Sequence, residues 1–187
     1  MEHRLSIEQL QNKYYEDNKK NTIFKNSQKT KCAEYLTSQL DINVLLEKTS
    51  FIIPGTSIVF LDYLVFKTYA HPIIYDQISQ YIVNLLTLCI QTHRTFEVHI
   101  NLKSFTISAA QRYVDIIKRF CSMCLQSDTQ YAANINKLVI YNAPSMIDAI
   151  SKMFRPFINE RVRDRIELVN AEKSAEILKN ITGGSGV

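Results

Sequence analysis

The feature that most constrains the fold is a repeated change between two spacings of hydrophobic residues. From residue 96 to residue 102, apolar side chains occupy every second position, which is the spacing of a half-buried β-strand. From residue 108 to residue 125 they recur every three or four positions, which is the spacing of an amphipathic helix. Strands that alternate with helices of this length are joined by crossover connections, so the sequence predicts an α/β domain with a mostly parallel sheet.

The same alternation continues on both sides of this unit. Short apolar runs at residues 57–61, 138–141 and 166–169 predict three further strands. Pro72 is expected to open a long amphipathic helix, because proline is favoured in the first turn, and a last helix is predicted over residues 173–180. A chain of 187 residues is long enough for one such domain with a full core.

Three segments are predicted along the chain. Residues 1–50 mix charges with apolar side chains at helical spacing, which indicates a short N-terminal helical segment. Proline and glycine at positions 54 and 55 then mark a turn, after which residues 51–182 form the main domain. Residues 183–187 are rich in glycine and are expected to be a flexible tail.

The sequence also narrows the environment and the partners. Polar residues interrupt the apolar stretches at 51–66 and 78–90, so we expect no membrane-spanning helix, and the N-terminus lacks the pattern of a secretory signal. Four cysteines in such a chain indicate reduced thiols in the cytoplasm. The net charge of +4 is compatible with an anionic membrane surface, and it is too small to indicate a nucleic acid partner.

Motifs for catalysis are missing. The sequence has no Gly-rich phosphate loop and no G-x-S-x-G nucleophile motif. Cys121 and Cys124 are spaced like a redox pair, but they lie on the apolar stripe of the predicted helix, where we interpret them as core residues. The histidines lack metal-ligand spacing. The sequence therefore predicts a protein that is not an enzyme, with no metal and no cofactor.

Polar side chains at Glu97, His99 and Asn101 share one face of the predicted strand, because successive residues of a strand point to opposite faces. Burying them without partners would cost about 1–3 kcal/mol each. They are therefore either hydrogen-bonded to neighbouring elements or directed into a cavity or solvent, and the sequence leaves both alternatives open.

Two ordered stretches resemble the CRAL-TRIO family of SEC-fourteen-type lipid-transfer domains. Residues 98–108, VHINLKSFTIS, resemble the family's central strand, the turn after it and the start of a helix. Residues 131–169 resemble the family's next strand, its N-A-P turn at Asn142, and the helix that ends in a [KR]-P-F segment at Arg155. The sequence IELV and the helix AEILKN match the family's last strand and helix.

The resemblance implies a lipid pocket floored by the sheet and closed by a mobile helix. We call residues 146–162 the gate segment, because the implied closing helix falls there. The expected bound ligand is one hydrophobic molecule, a phospholipid, with phosphatidylinositol as one candidate. The residues expected in the pocket and gate are Ile58, Phe60, His99, Asn101, Met146, Ile150, Met153, Phe154, Phe157, Ile158 and Val162.

Basic side chains accompany the gate segment and are expected to contact a lipid headgroup or an anionic membrane. These residues are Arg155, Arg161, Arg163, Arg165 and, on the last helix, Lys173. The implied protein is cytoplasmic and peripheral at membranes. The alternative is a regulatory or scaffold module that has the same fold, has lost the cavity and binds a protein partner.

Overall fold

The computed structural model describes residues 6–19, 23–126 and 128–182, which form five strands and eleven α-helices. The predicted tail at 183–187 lies outside the described residues. The strands are β1 (Ser50–Ile52), β2 (Ile58–Asp62), β3 (Phe96–Asn101), β4 (Ile135–Tyr141) and β5 (Ile166–Leu168). The helices are α1 (Ile7–Asn18), α2 (Lys25–Gln39), α3 (Ile42–Thr49), α4 (Tyr63–Tyr69), α5 (Tyr75–His93), α6 (Ile107–Arg112), α7 (Val114–Cys124), α8 (Gln130–Asn134), α9 (Ile147–Phe154), α10 (Glu160–Arg163) and α11 (Ala171–Thr182).

The sheet follows the order of the chain, β1-β2-β3-β4-β5. Strands β2 to β5 pair in parallel, and β1 pairs antiparallel with β2, so the predicted α/β fold with a mostly parallel sheet is confirmed. Crossovers between parallel strands are right-handed as a rule. In a sheet that grows in one direction, this handedness brings every connecting helix onto the same face.

The two faces of the sheet are covered differently. On one face, Val59 and Val98 belong to the main hydrophobic core together with side chains of the crossover helices. On the other face, a smaller cluster contains Phe60, Val139 and Tyr141, and α11 packs against it. The cores on both faces follow from the period of two in each strand, which sends alternate side chains to opposite faces.

Several local elements differ from the sequence expectation. Strand β1 and helices α4 and α8 were not predicted, because three to seven residues are too few to show a periodic pattern. Pro72 begins a 3-10 helix that leads into α5, and the helix expected over residues 108–125 is divided at Tyr113 into α6 and α7. Each of these changes preserves the order of strands and helices.

The N-terminal helices have a small core of their own. Ser6 caps α1 through a capping box with Gln9, and Leu10 packs with Cys32 and Leu36 of α2. Helix α2 also packs on α4, which connects this N-terminal unit to the crossover side of the sheet.

The stretch Pro72–His93 has the length and the apolar composition of a helix that could cross a membrane. The sequence prediction was that the chain has no such helix. The side chains of this stretch at Ile78, Ile82 and Leu86 are buried in the main core of the domain. A core helix has the same composition, so this stretch is accounted for by packing on the sheet.

Candidate functional site

A large cavity of about 700 Å³ lies on the crossover face of the sheet. Its floor crosses four neighbouring strands, which contribute Leu61, Val98, Ile100, Leu138, Ile140 and Ile166. Neighbouring strands are about 4.8 Å apart, so this floor is about 14 Å wide. The sheet therefore provides a continuous apolar surface of the width of a small ligand.

Helices form the walls of this cavity. Helix α5 contributes Ile78 and Ile82, and α7 contributes Ile116, Ile117 and Phe120. The side chains of α7 were not expected in the site, although the amphipathic pattern of residues 108–125 is the signal that could have identified them. The pattern reveals an apolar face, and it does not distinguish a face packed on the sheet from a face that lines a cavity.

Three residues expected in the gate line the cavity: Ile150, Phe154 and Ile158. Two others pack against the core and do not line the cavity. Met153 is partly buried, and Val162 is completely buried. The remaining two, Met146 and Phe157, do not line the cavity.

Met146 is 54% exposed at the start of α9, outside the cavity lining. Phe157 packs partly against the core, and the Lys118 ammonium lies 5.2 Å from the centre of its ring. The Phe157 carbonyl accepts a hydrogen bond of 3.1 Å from the Gln126 side chain. The structure thus places Phe157 in contact with α7 and the residues that follow it.

The regular helix is interrupted where Pro156 predicts an interruption. Helix α9 ends at Phe154, the 3-10 helix Arg155–Phe157 follows, and Asn159 caps the short helix α10 through its side chain. Proline has no backbone N–H to donate to the carbonyl four residues earlier, and its ring clashes with that carbonyl, which explains the end of the regular helix.

Four expected pocket residues lie on the opposite face of the sheet, which corrects the sequence expectation. They are Ile58, Phe60, His99 and Asn101. Phe60 and His99 are register partners on parallel strands, and Phe60 belongs to the cluster beneath α11. The alternation of side chains along a strand identifies two faces of the sheet, and it does not say which face lines a cavity. The sequence prediction placed the pocket on the other face.

Hydrogen bonds account for the polar side chains on this second face. The two ring nitrogens of His99 lie 3.1 Å from a Glu97 carboxylate oxygen and 3.0 Å from the Tyr141 hydroxyl. Asn101 donates to Asp62 and accepts from the side chain of Asn142 at 2.8 Å. Of the two alternatives left open by the sequence, hydrogen bonding to neighbouring elements is therefore what the structure shows.

The expected basic residues fall into different environments. Arg155 and Arg163 line the cavity, and Arg161 is exposed on α10. The Arg165 guanidinium donates a hydrogen bond to the backbone carbonyl of Ile135, which ties it to the fold. Lys173 is exposed on α11, the helix that covers the other face of the sheet, and it does not line the cavity.

Charged residues of the cavity lining are concentrated near the gate segment. Lys152, Arg155 and Arg163 line the cavity together with the acidic residues Asp148, Glu160 and Asp164. The Nε atom of Arg163 is buried and has no hydrogen-bond partner in the described part of the chain. This N–H group is available to donate a hydrogen bond to an acceptor on a ligand in the cavity.

Polar side chains also lie in the lining away from the gate, among them Asp62 and Ser79. Burial raises the pKa of the Asp62 carboxyl, opposed by hydrogen bonds from the Leu64 backbone and the Asn101 side chain. Ser79 of α5 is only 2% exposed, and its hydroxyl has no hydrogen-bond partner among the described residues. The lining is otherwise mostly aliphatic and aromatic.

The cysteines contribute to packing. All four are buried and free, and burial raises the pKa of Cys121 and of Cys124 to about 12. A thiol with so high a pKa is protonated at neutral pH and is a weak nucleophile. Across residues 6–19, 23–126 and 128–182, no group of three His, Cys, Asp or Glu side chains is arranged to hold a metal ion.

A mostly parallel sheet that floors an apolar cavity, with helices as walls, defines an α/β domain of the ligand-binding class. The family model described as the CRAL/TRIO domain matches residues 56–183. The chain belongs to this family. Its members are lipid-binding and lipid-transfer proteins that are generally not enzymes and are generally soluble and cytoplasmic.

Comparison with solved structures supports the fold. The chain resembles the crystal structure of Sfh5 with a TM-score of 0.52 at 12% sequence identity. The similarity covers 68% of this chain and 50% of that chain, so the chain spans about half the length of that protein. No curated protein matches the sequence.

Proposed function

We propose that this protein encloses one lipid in the cavity on the crossover face and exchanges it at membranes. The observation that carries the proposal is the cavity itself, about 700 Å³ with a mostly apolar lining. A protein-binding module that has lost its cavity is the alternative, and an open apolar volume of this size argues against it. Such a volume is within the range of small-molecule sites in proteins.

The free energy that favours lipid enclosure is large. Each buried methylene contributes about 0.8 kcal/mol, so an eighteen-carbon chain contributes about 14 kcal/mol before ordering costs. At about 30 Å³ for each group of the size of a water molecule, a 700 Å³ cavity holds about 23 such groups. One acyl chain fits this volume, and a two-chain phospholipid such as phosphatidylinositol would fit only if the gate segment moved outward.

Two hydrogen bonds of the gate segment would have to break in such a movement. The Asn159 backbone donates to the Leu125 carbonyl at 2.8 Å, and Gln126 donates to the Phe157 carbonyl at 3.1 Å. These two hydrogen bonds join the segment to the end of α7, close to the break at Pro156. We propose that breaking them opens the cavity, with Arg155 and Arg161 in contact with an anionic membrane.

Lipid analysis of the purified protein tests the proposal. Protein isolated under native conditions is expected to contain about one extractable lipid per chain, measured by native mass spectrometry and by extraction with organic solvent. Replacing Ile117 by Trp fills the cavity from α7 and should lower the lipid content, whereas the same change at the exposed Leu88 should not. Protein that carries no lipid and takes up none from vesicles would refute the proposal.

A further inference from the structure

A second pocket of about 410 Å³ lies between the N-terminal helices and the crossover side of the domain. We call it the basic pocket. Helices α1, α2, α4 and α6 and the loop after β3 contribute to it. Its lining consists of Gln11, Tyr15, Asn26, Lys29, Cys32, Tyr63, Lys67, Thr68, Ser104, Thr106, Ser108, Ala109, Arg112 and Tyr113.

The charge of this lining is entirely positive. Lys29, Lys67 and Arg112 come from three different helices, and no aspartate or glutamate is among the lining residues. Lys29 is close enough to contribute to lowering the pKa of Lys67, after the larger effect of burial, whereas Asp62 acts in the opposite direction. Three neighbouring cations without a carboxylate between them repel one another, and an anion placed among them would remove that repulsion.

Two of the cations are held in position before any ligand arrives. The Lys67 ammonium donates to the Ser104 hydroxyl at 2.8 Å and lies 5.8 Å from the centre of the Tyr63 ring. The Arg112 guanidinium lies 5.0 Å from the centre of the Tyr113 ring. A cation–π contact is an electrostatic attraction to the ring face and does not itself use an N–H donor of the cation.

Arg112 has a buried hydrogen-bond donor that lacks an acceptor among the described residues. One terminal guanidinium nitrogen of this residue is buried, and it has no hydrogen-bond partner within the described ranges. A buried charged donor without an acceptor is unfavourable, and native structures normally provide one. The missing partner is therefore an acceptor that the described protein does not supply.

We propose that the basic pocket binds a phosphate group carried on a small polar molecule such as a phosphorylated polyol. Arginine and lysine together with hydroxyl donors suit the tetrahedral, multiply charged phosphate. A volume of about 410 Å³ holds about 14 groups of the size of a water molecule, more than a single phosphate ion needs. The pocket is distinct from the lipid cavity, with Tyr63 and Tyr113 as the wall shared by the two.

Calorimetric titration of the full chain with inositol trisphosphate, and with inorganic phosphate for comparison, tests this site. We expect saturable binding of inositol trisphosphate, weaker binding of inorganic phosphate, and a loss of affinity of about tenfold or more in Arg112→Gln and in Lys67→Gln. Lys48→Gln is the matched control, because Lys48 is exposed on α3 and does not line the pocket. Lys29→Gln adds a variant at an exposed position that should fold normally.

A parallel experiment identifies the source of the phosphate. Sedimentation with phosphatidylcholine vesicles that contain a phosphorylated phosphatidylinositol tests a membrane headgroup, and calorimetry tests a soluble molecule. Binding in either experiment, if weakened in the pocket variants, supports the site. Absence of binding in both, or equal loss in Lys48→Gln, would overturn it. Lipid content of these variants should equal that of the wild type, since none of the three cations lines the lipid cavity.

Discussion

Replacing Ile158 by aspartate distinguishes a gate residue from a residue that only stabilises the fold. Ile158 is half-buried in the gate segment and lines the cavity. Val162, four residues later, is completely buried in the main core and does not line the cavity. The two aliphatic side chains therefore form a matched pair that differs in what surrounds them.

The expected loss of stability differs between the two variants. Complete burial of an isoleucine contributes about 1.5–3 kcal/mol, so the half-buried Ile158 contributes about half of that, about 0.8–1.5 kcal/mol. In a protein of this size, each kcal/mol corresponds to about 2–4 °C in melting temperature. Ile158→Asp should therefore lower the melting temperature of the lipid-free protein by about 2–6 °C. Val162→Asp places a carboxylate in the core at a cost of several kcal/mol and should prevent folding or come close to it.

The effect on lipid binding is expected to be much larger. A lipid that covers residue 158 must leave the aspartate protonated, and protonating an ordinary aspartate at pH 7 costs about 4 kcal/mol, which weakens binding about a thousandfold. At pH 5 the same cost falls to about 1.5 kcal/mol, so binding should recover to within about tenfold of the wild type. Lipid content by mass spectrometry and melting temperature by circular dichroism, both at the two pH values, measure these effects.

Two results would refute the reasoning. If Ile158→Asp unfolds as Val162→Asp does, Ile158 is a core residue and the gate is a permanent cover. If Ile158→Asp folds and binds lipid as tightly as the wild type at pH 7, the bound lipid does not reach this part of the cavity.

Three further expectations concern membrane contact, thiol reactivity and pH. Combining Arg155→Glu with Arg161→Glu should weaken sedimentation with anionic vesicles by about tenfold or more at low salt, at about 1 kcal/mol per charge removed, whereas Lys179→Glu on α11 should change it little. The two cysteines of α7 should resist alkylation at pH 8 until the protein is denatured, and rapid labelling of the native protein would contradict the assignment to the core. Burial lowers the pKa of His71. The stability contributed by the neutral ring should be fully present above the unfolded-state pKa near 6.5 and be lost as pH falls through the folded-state pKa. The difference in the free energy of urea unfolding between pH 7 and pH 5 should therefore be smaller in His71→Gln than in the wild type.

The sequence by itself determined the alternation of the parallel strands with helices and the class of fold. Alternating side chains along residues 96–102 and helical spacing after residue 108 are local properties, and β3, α6 and α7 form where they predict. Pro156 likewise determines a helix end without reference to distant residues. The motifs at Asn142 and Arg155 were enough to recognise the family that the match over residues 56–183 shows.

The tertiary structure decided which side chains meet. A period of two assigns His99 and Val98 to opposite faces of β3, and it does not say which face the cavity occupies. That choice depends on the sequential strand order and on the handedness of the crossovers, which bring α5, α7 and the gate segment over Val98 and Ile100. The basic pocket arises in the same way, because Lys67 and Arg112 are distant in sequence and line one pocket only when Tyr113, at the end of α6, packs against α4.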